Sequence, residues 1–148
     1  MAAKSARRKG VVDTSAVVAG IATFKERPPV SPSAKFLREW LDHASFTWLV
    51  TEEILAEYKA MLSRLRVRRS VAGALINLLR EEAELVEVRS TAGVCPDPGD
   101  DRFCACAEAA NAAFIVTLNP KDFPQRKLRA KVIGLEDPLP TTARRPAR

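Results

Sequence analysis

The chain has 148 residues, 47% of them hydrophobic and 28% charged, which fits one soluble domain able to bury a core without disulfides or a structural metal. No apolar stretch is long enough for a membrane span. Asp13 interrupts the apolar run that a secretory leader would need after the basic opening MAAKSARRKG, so the expected location is the cytoplasm.

The formal charge of +6 is concentrated at the ends. Residues 1–10 carry four of the 24 Lys/Arg and residues 140–148 carry three, with no acid in either, so the other 17 face 18 acids and the body is near −1. The basic ends suit either solubility or unspecific attraction to phosphate. Residues 1–9 and 138–148 read as flexible tails around a domain spanning 10–137.

In chain order, Val11 and Val12 begin a short buried strand, and the chain turns over Asp13, Thr14 and Ser15 into the apolar stretch Ala16 to Ile21. FKERPPVSP is a proline-interrupted loop, after which Ser33 is placed to cap a helix with Phe36, Leu37, Trp40 and Leu41 on one face, ending near His43. Phe46 to Val50 reads as a strand. Thr51 then caps a helix with Glu52 and Glu53 in its first turn and a stripe of Ile54, Leu55, Tyr58 and Leu62. After the basic run Arg64, Arg66, Arg68 and Arg69 comes a helix with Val71, Leu75, Leu78 and Leu79 inward, then a strand through Leu85, Val86 and Val88. CPDPGDD forms a turn, Asp100 or Asp101 opens a helix of small residues, and Ala113 to Thr117 supplies a fully apolar strand; a last strand covers Val132 to Leu135. Short apolar runs alternating with helix-period segments predict an α/β fold: three layers, α/β/α, around a parallel sheet of about four or five strands.

On that scheme Asp13, Asp100, Asn119 and Asp122 all follow strands or open the helix after one, so they converge where open parallel sheets bind ligands, beyond the carboxyl ends of the strands. Three or more carboxylates gathered there repel, and a divalent cation relieves the repulsion. Oxygen ligands favour Mg²⁺ or Mn²⁺ over zinc. Each acid also has a structural use. Asp13, between two apolar segments, is poorly hydrated for a simple turn residue. Glu57 lies at the edge of its helix stripe and suits a solvated surface as well as a site. Asp97, Asp100 and Asp101 sit where an aspartate ordinarily caps a helix, yet capping needs only one. Asn119 and Asp122 lie in NPKD, a turn-forming sequence. His43 fits a helix end, Trp40 and Trp48 fit the core, and Cys104 and Cys106 read as small helix residues that, with Cys95, stay reduced.

Taken in order, VVDTS at 11–15, TEEILAEYKAML at 51–62 and DPGDDRFCACAEAANAAFIVTLNPKDFP at 97–124 resemble the three blocks of the PIN-domain family, in particular its single-domain, VapC-like toxins of type II toxin–antitoxin pairs. The resemblance covers most of the chain, and the third block is its most specific part. It implies catalytic acids at Asp13, Glu57 and Asp100, with Asp101 the competing register, and metal ligation by these three with Asp122. Ser15, Thr117 and Asn119 would support the acids by hydrogen bonds; Asn119 stands where the family usually has a fourth acid.

The implied activity is a metal-dependent endoribonuclease acting on single-stranded RNA, using Mg²⁺ or Mn²⁺ and leaving 5′-phosphate and 3′-hydroxyl ends. No serine- or cysteine-based nucleophile arrangement competes with this. An antitoxin protein and a homodimer are the implied partners, with Arg64, Arg66, Arg68 and Arg69 as candidate RNA contacts. The alternatives are a non-catalytic PIN-like module that binds RNA or protein, favoured by Asn119, and a phosphoryl-acceptor domain using Asp13, disfavoured because Ser15 replaces the second aspartate of a DxD loop.

Overall fold

A computed structural model of the chain describes residues 8–24, 31–89, 93 and 95–140. Five strands form one sheet: β1 (Lys9–Val12), β2 (Thr47–Val50), β3 (Glu84–Leu85), β4 (Phe114–Val116) and β5 (Lys131–Ile133). All four strand pairings are parallel. The connecting helices are α1 (Thr14–Ala22), α2 (Pro32–His43), α3 (Glu52–Arg64), α4 (Arg69–Glu82) and α5 (Asp101–Ala109). Parallel pairing leaves hairpins no role, which is why every strand is separated from the next by helix or by a long connection.

The strand order is β3-β2-β1-β4-β5. The chain therefore winds outward from β1 through β2 to β3, returns by α5, and continues from β4 on the other side of β1. The reversal creates a crevice between the carboxyl ends of β1 and β4, the place where such sheets hold ligands. Close strand packing there depends on Gly10: it pairs with Phe114, and a Cβ at Gly10 would stand 2.2 Å from the Phe114 ring. That ring packs edge-on against Phe46 with centroids 5.2 Å apart.

The expected α/β architecture with its parallel sheet is borne out, with five strands. Thr51 caps α3 as expected, accepting the Ile54 N–H at 3.0 Å, and Ile54, Leu55, Tyr58 and Leu62 are all buried. Several boundaries differ. Ser31, not Ser33, caps α2, its hydroxyl accepting the Ala34 N–H at 2.9 Å; Pro32 fills the first helical position, where a missing N–H costs nothing, and Ser33 turns inward. Leu41 is 37% exposed, so the buried face of α2 is drawn by Ala34, Leu37 and Trp40 instead. The third strand is two residues long: Glu84 and Leu85 pair with Leu49 and Val50 on β2, and beyond them Val86 adds only its N–H to the Val50 carbonyl at 2.8 Å. The last strand begins at Lys131, ahead of the expected Val132.

Residues 1–7 and 141–148, most of the expected tails, lie outside the described residues. Where the expected tails are described, Arg8 Nη1 donates to the Leu139 carbonyl at 2.7 Å. Among the described residues no helix is long and apolar enough to cross a membrane.

Candidate active site

Asp13 follows β1 directly and is only 6% exposed. Its backbone N–H donates to the Val116 carbonyl at 2.8 Å, which fastens the end of β1 to the end of β4. Burying a carboxylate is costly unless donors meet it, and here two hydroxyls do: Ser15 and Thr117 each donate to Oδ2 at 2.8 Å. These hydroxyls are held in turn by backbone. The Leu118 N–H donates to Ser15 Oγ at 3.2 Å and the Asn119 N–H to Thr117 Oγ1 at 3.0 Å. With both donors on Oδ2, Oδ1 has no hydrogen-bond partner among the described residues.

Glu57 reaches the same crevice from α3. Its Oε2 accepts a short hydrogen bond from Thr14, the residue after Asp13, and its Oε1 lies 3.4 Å from Arg102 Nη1 on α5. The helix is aligned by the next residue: Tyr58 is fully buried, donates its hydroxyl to the Val12 carbonyl, and receives the Trp48 indole N–H at 3.4 Å. Burial pushes the Tyr58 phenol well above its ordinary range, against which the Trp48 donor works, while Asp13 and Glu57 add to the upward push. It is therefore a permanent neutral donor.

Asp100 opens α5 with its backbone alone. It has helical dihedrals and its side chain caps nothing, because the preceding turn is closed by Asp97, whose Oδ1 accepts the Gly99 N–H at 2.8 Å and whose carbonyl accepts the Asp100 N–H at 3.0 Å. The Asp100 carboxyl is thus available to face the other acids. Its pKa is pushed up to about 6, first by burial and then by the charges of Asp13, Asp97, Asp122 and Glu57. Five carboxyls brought into one electrostatic neighbourhood from β1, α3, the 97–100 turn and the turn after β4 are the main feature of the site.

Asp101 has a different role. It is buried, and its Oδ1 accepts the Cys95 N–H at 3.0 Å, away from the hydroxyl network of Asp13. Asn119 is exposed and enters the network through its main chain, while Asp122 is exposed in a 3-10 turn over Pro120–Asp122 and acts on Asp100 through charge. Of the four arginines, Arg64 lines a groove of ≈ 340 Å³ together with Glu57 and Arg102; Arg66, Arg68 and Arg69 are exposed and form no ion pair among the described residues. Sequence reasoning missed Thr14 and Arg102. Both stand one place after a chosen acid or its neighbour, and nothing in a local pattern announces a hydrogen bond or ion pair to a helix some 40 residues away.

The acids meet through their fields more than by contact. No trio from Asp13, Glu57, Asp100 and Asp122 has its oxygens all within 4.8 Å, a spacing that Cys95, Asp101 and Cys104 alone reach among the described residues. Wider spacing suits a small hard cation that keeps part of its water and takes only one or two carboxylates directly. The all-oxygen donor set, the open Oδ1 of Asp13 and the repulsion felt by Asp100 fit a hard divalent cation.

A family model described as PIN domain matches residues 9–121. Among solved structures, the chain is similar to one in the crystal structure of VapBC2 from Rickettsia felis bound to a DNA fragment from their promoter, with a TM-score of 0.54 and 15% identity over 85% of this chain and 98% of that one. No curated protein matches. The family match takes in β1, all five helices and β4, and so includes Asp13, Glu57 and Asp100; the chain belongs to the PIN-domain family.

Proposed function

We propose that this protein is a cytoplasmic, divalent-metal-dependent endoribonuclease that cuts single-stranded RNA, serving as the toxin of a toxin–antitoxin pair. The observation that carries the reading is the Asp100 carboxyl, raised to about 6 by burial and by four other acids in a crevice at the strand reversal. A fold has little structural use for such a cluster, and perturbed acids in a cleft mark candidate active sites.

Asp13, Glu57 and Asp100, with Asp122 at the rim, would hold Mg²⁺ or Mn²⁺. When bound, the ion supplies activation of water and neutralisation of phosphodiester charge during in-line attack. The protein's own part is orientation. Ser15 and Thr117 pin one oxygen of Asp13 and leave the other open, while Glu57 is held at both oxygens, Oε2 by Thr14 and Oε1 by Arg102. Arg102 balances the Glu57 charge, and with Arg64 it offers phosphate contacts along the adjoining groove. Cleavage then leaves a 5′-phosphate and a 3′-hydroxyl.

The R. felis relative is a VapBC2 complex, which supports an antitoxin partner here, and self-association is the arrangement to look for in its absence. Asn119, where the family usually carries a fourth acid, supports a second reading in which the domain binds RNA without cutting. The two separate in one assay. Native protein should cleave single-stranded RNA only with Mn²⁺ or Mg²⁺ present, and Asp13→Asn should lose the activity by about two orders of magnitude or more, beyond the 10–100-fold typical of losing a ligand's supporting partner. Metal-independent cleavage, equal activity in the variant, or binding without any cleavage would reject the nuclease reading.

A further inference from the structure

Beyond the acid crevice, one sulfur just before the third sequence block and one within it form a pair with no part in nuclease chemistry. Cys95 Sγ and Cys104 Sγ lie 2.8 Å apart. Cys95 is half-buried in the segment leading to the acid turn, whereas Cys104 is fully buried on α5. A second contact holds them together independently of the sulfurs: the Cys95 backbone N–H donates at 3.0 Å to the carboxylate of Asp101, in the first turn of the helix that carries Cys104. Cys95 is thus anchored by its main chain to the element it faces.

From this geometry we propose that Cys95 and Cys104 are a redox modification site that closes to a reversible disulfide. Zinc is the obvious rival, since Asp101 completes a trio of possible ligands. Two thiolates on one tetrahedral zinc, each at about 2.3 Å, sit about 3.8 Å from each other. The observed 2.8 Å is well inside that separation and nearer the ~2.05 Å of a sulfur–sulfur bond. A zinc ion would have to push the pair apart; oxidation only has to draw it together.

The oxidant is a hydroperoxide, which reaches the partly exposed Cys95 first. The Cys95 sulfur attacks one peroxide oxygen, giving a sulfenic acid and, with hydrogen peroxide, one water. The Cys104 sulfur then attacks the Cys95 sulfur, the S–OH bond breaks, and a second water leaves with the Cys104 proton. Two thiols and one peroxide thereby become one disulfide and two waters. A dithiol reductant reverses the change by exchange. The closed ring runs from Cys95 to Cys104 and encloses Asp97, Asp100 and Asp101, so it fixes the base of the turn that presents Asp100. Cys106, fully buried on the same helix, takes no part.

The test uses the whole chain without added metal. After hydrogen peroxide and alkylation of the remaining thiols, peptide mass mapping without reductant should find one intramolecular link between the Cys95 and Cys104 peptides, two hydrogens lighter, and dithiothreitol should restore both thiols. Cys106→Ser should behave as the native chain, while Cys95→Ser should leave Cys104 alkylatable only after unfolding. The proposal is overturned by stepwise oxidation of Cys95 to its sulfinic or sulfonic acid with Cys104 untouched, by Cys95 cross-links between two chains, or by stoichiometric zinc in the reduced protein that Cys95→Ser abolishes.

Discussion

At the residue scale, the contrast between Asp100 and Asp101 shows how neighbouring aspartates acquire different chemistry. One oxygen of Asp101 accepts a backbone N–H, whereas the pKa of Asp100 is pushed up to about 6, first by burial and then by the like charges it faces. A raised carboxyl pKa means that the folded state holds its proton longer than the unfolded chain, so metal-free stability falls as the pH rises from about 4 to about 6 and stays lower above that. Asp100→Asn removes both the buried charge and the repulsion. Without metal, the variant should melt higher than the native protein above pH 6 and gain nothing below about pH 4, while losing metal-dependent cleavage. Thermal melts in a chelator on both sides of pH 6 check this, and an unchanged or lower midpoint above pH 6 would contradict it. The sequence made Asp13 legible, because an acid between Val12 and a second apolar run has few other uses. Choosing between Asp100 and Asp101 needed the family resemblance, since both fit a helix start; that Asp97 closes the turn emerges only in the folded chain.

At the scale of elements, α3 was legible down to its cap because Thr51, its acidic first turn and its apolar stripe agree with one another. Its contribution to the site was not. Glu57 is ambiguous on a helical wheel, and what turns it inward is Tyr58 bonding to the end of β1, a contact between residues 46 positions apart. Tyr58→Phe keeps the packing against Trp48 and Phe103 but leaves the Val12 carbonyl without this donor. The loss should be about 1–3 kcal/mol, the cost of an unsatisfied buried group, measured by denaturant unfolding. Cleavage should fall too, since α3 is then free to shift Glu57; full stability with full activity would show that the tyrosine only fills space. The shortened β3 and the early β5 were not readable, because strand ends are set by which neighbours offer partners and not by their own side chains.

For the whole molecule, parallel topology followed from the alternation of apolar runs and helices, but strand order did not, as nothing local encodes which side of β1 the returning chain takes. One residue records it. Gly10 makes room for Phe114 across β1 and β4, the two strands whose carboxyl ends carry Asp13 and Thr117. Gly10→Ala should destabilise the fold by about 1–3 kcal/mol through overpacking, seen as a lower urea midpoint with an unchanged slope; a neutral result would mean that the Phe114 ring swings aside at no cost.

Arg8 and Leu139 meet at the start of β1, whereas Asp13 lies past its other end. Anchoring the protein to a bead or sensor chip by a linker leaving at either residue would therefore turn the acidic mouth toward the bulk liquid, where a long polymer can thread it without meeting the support.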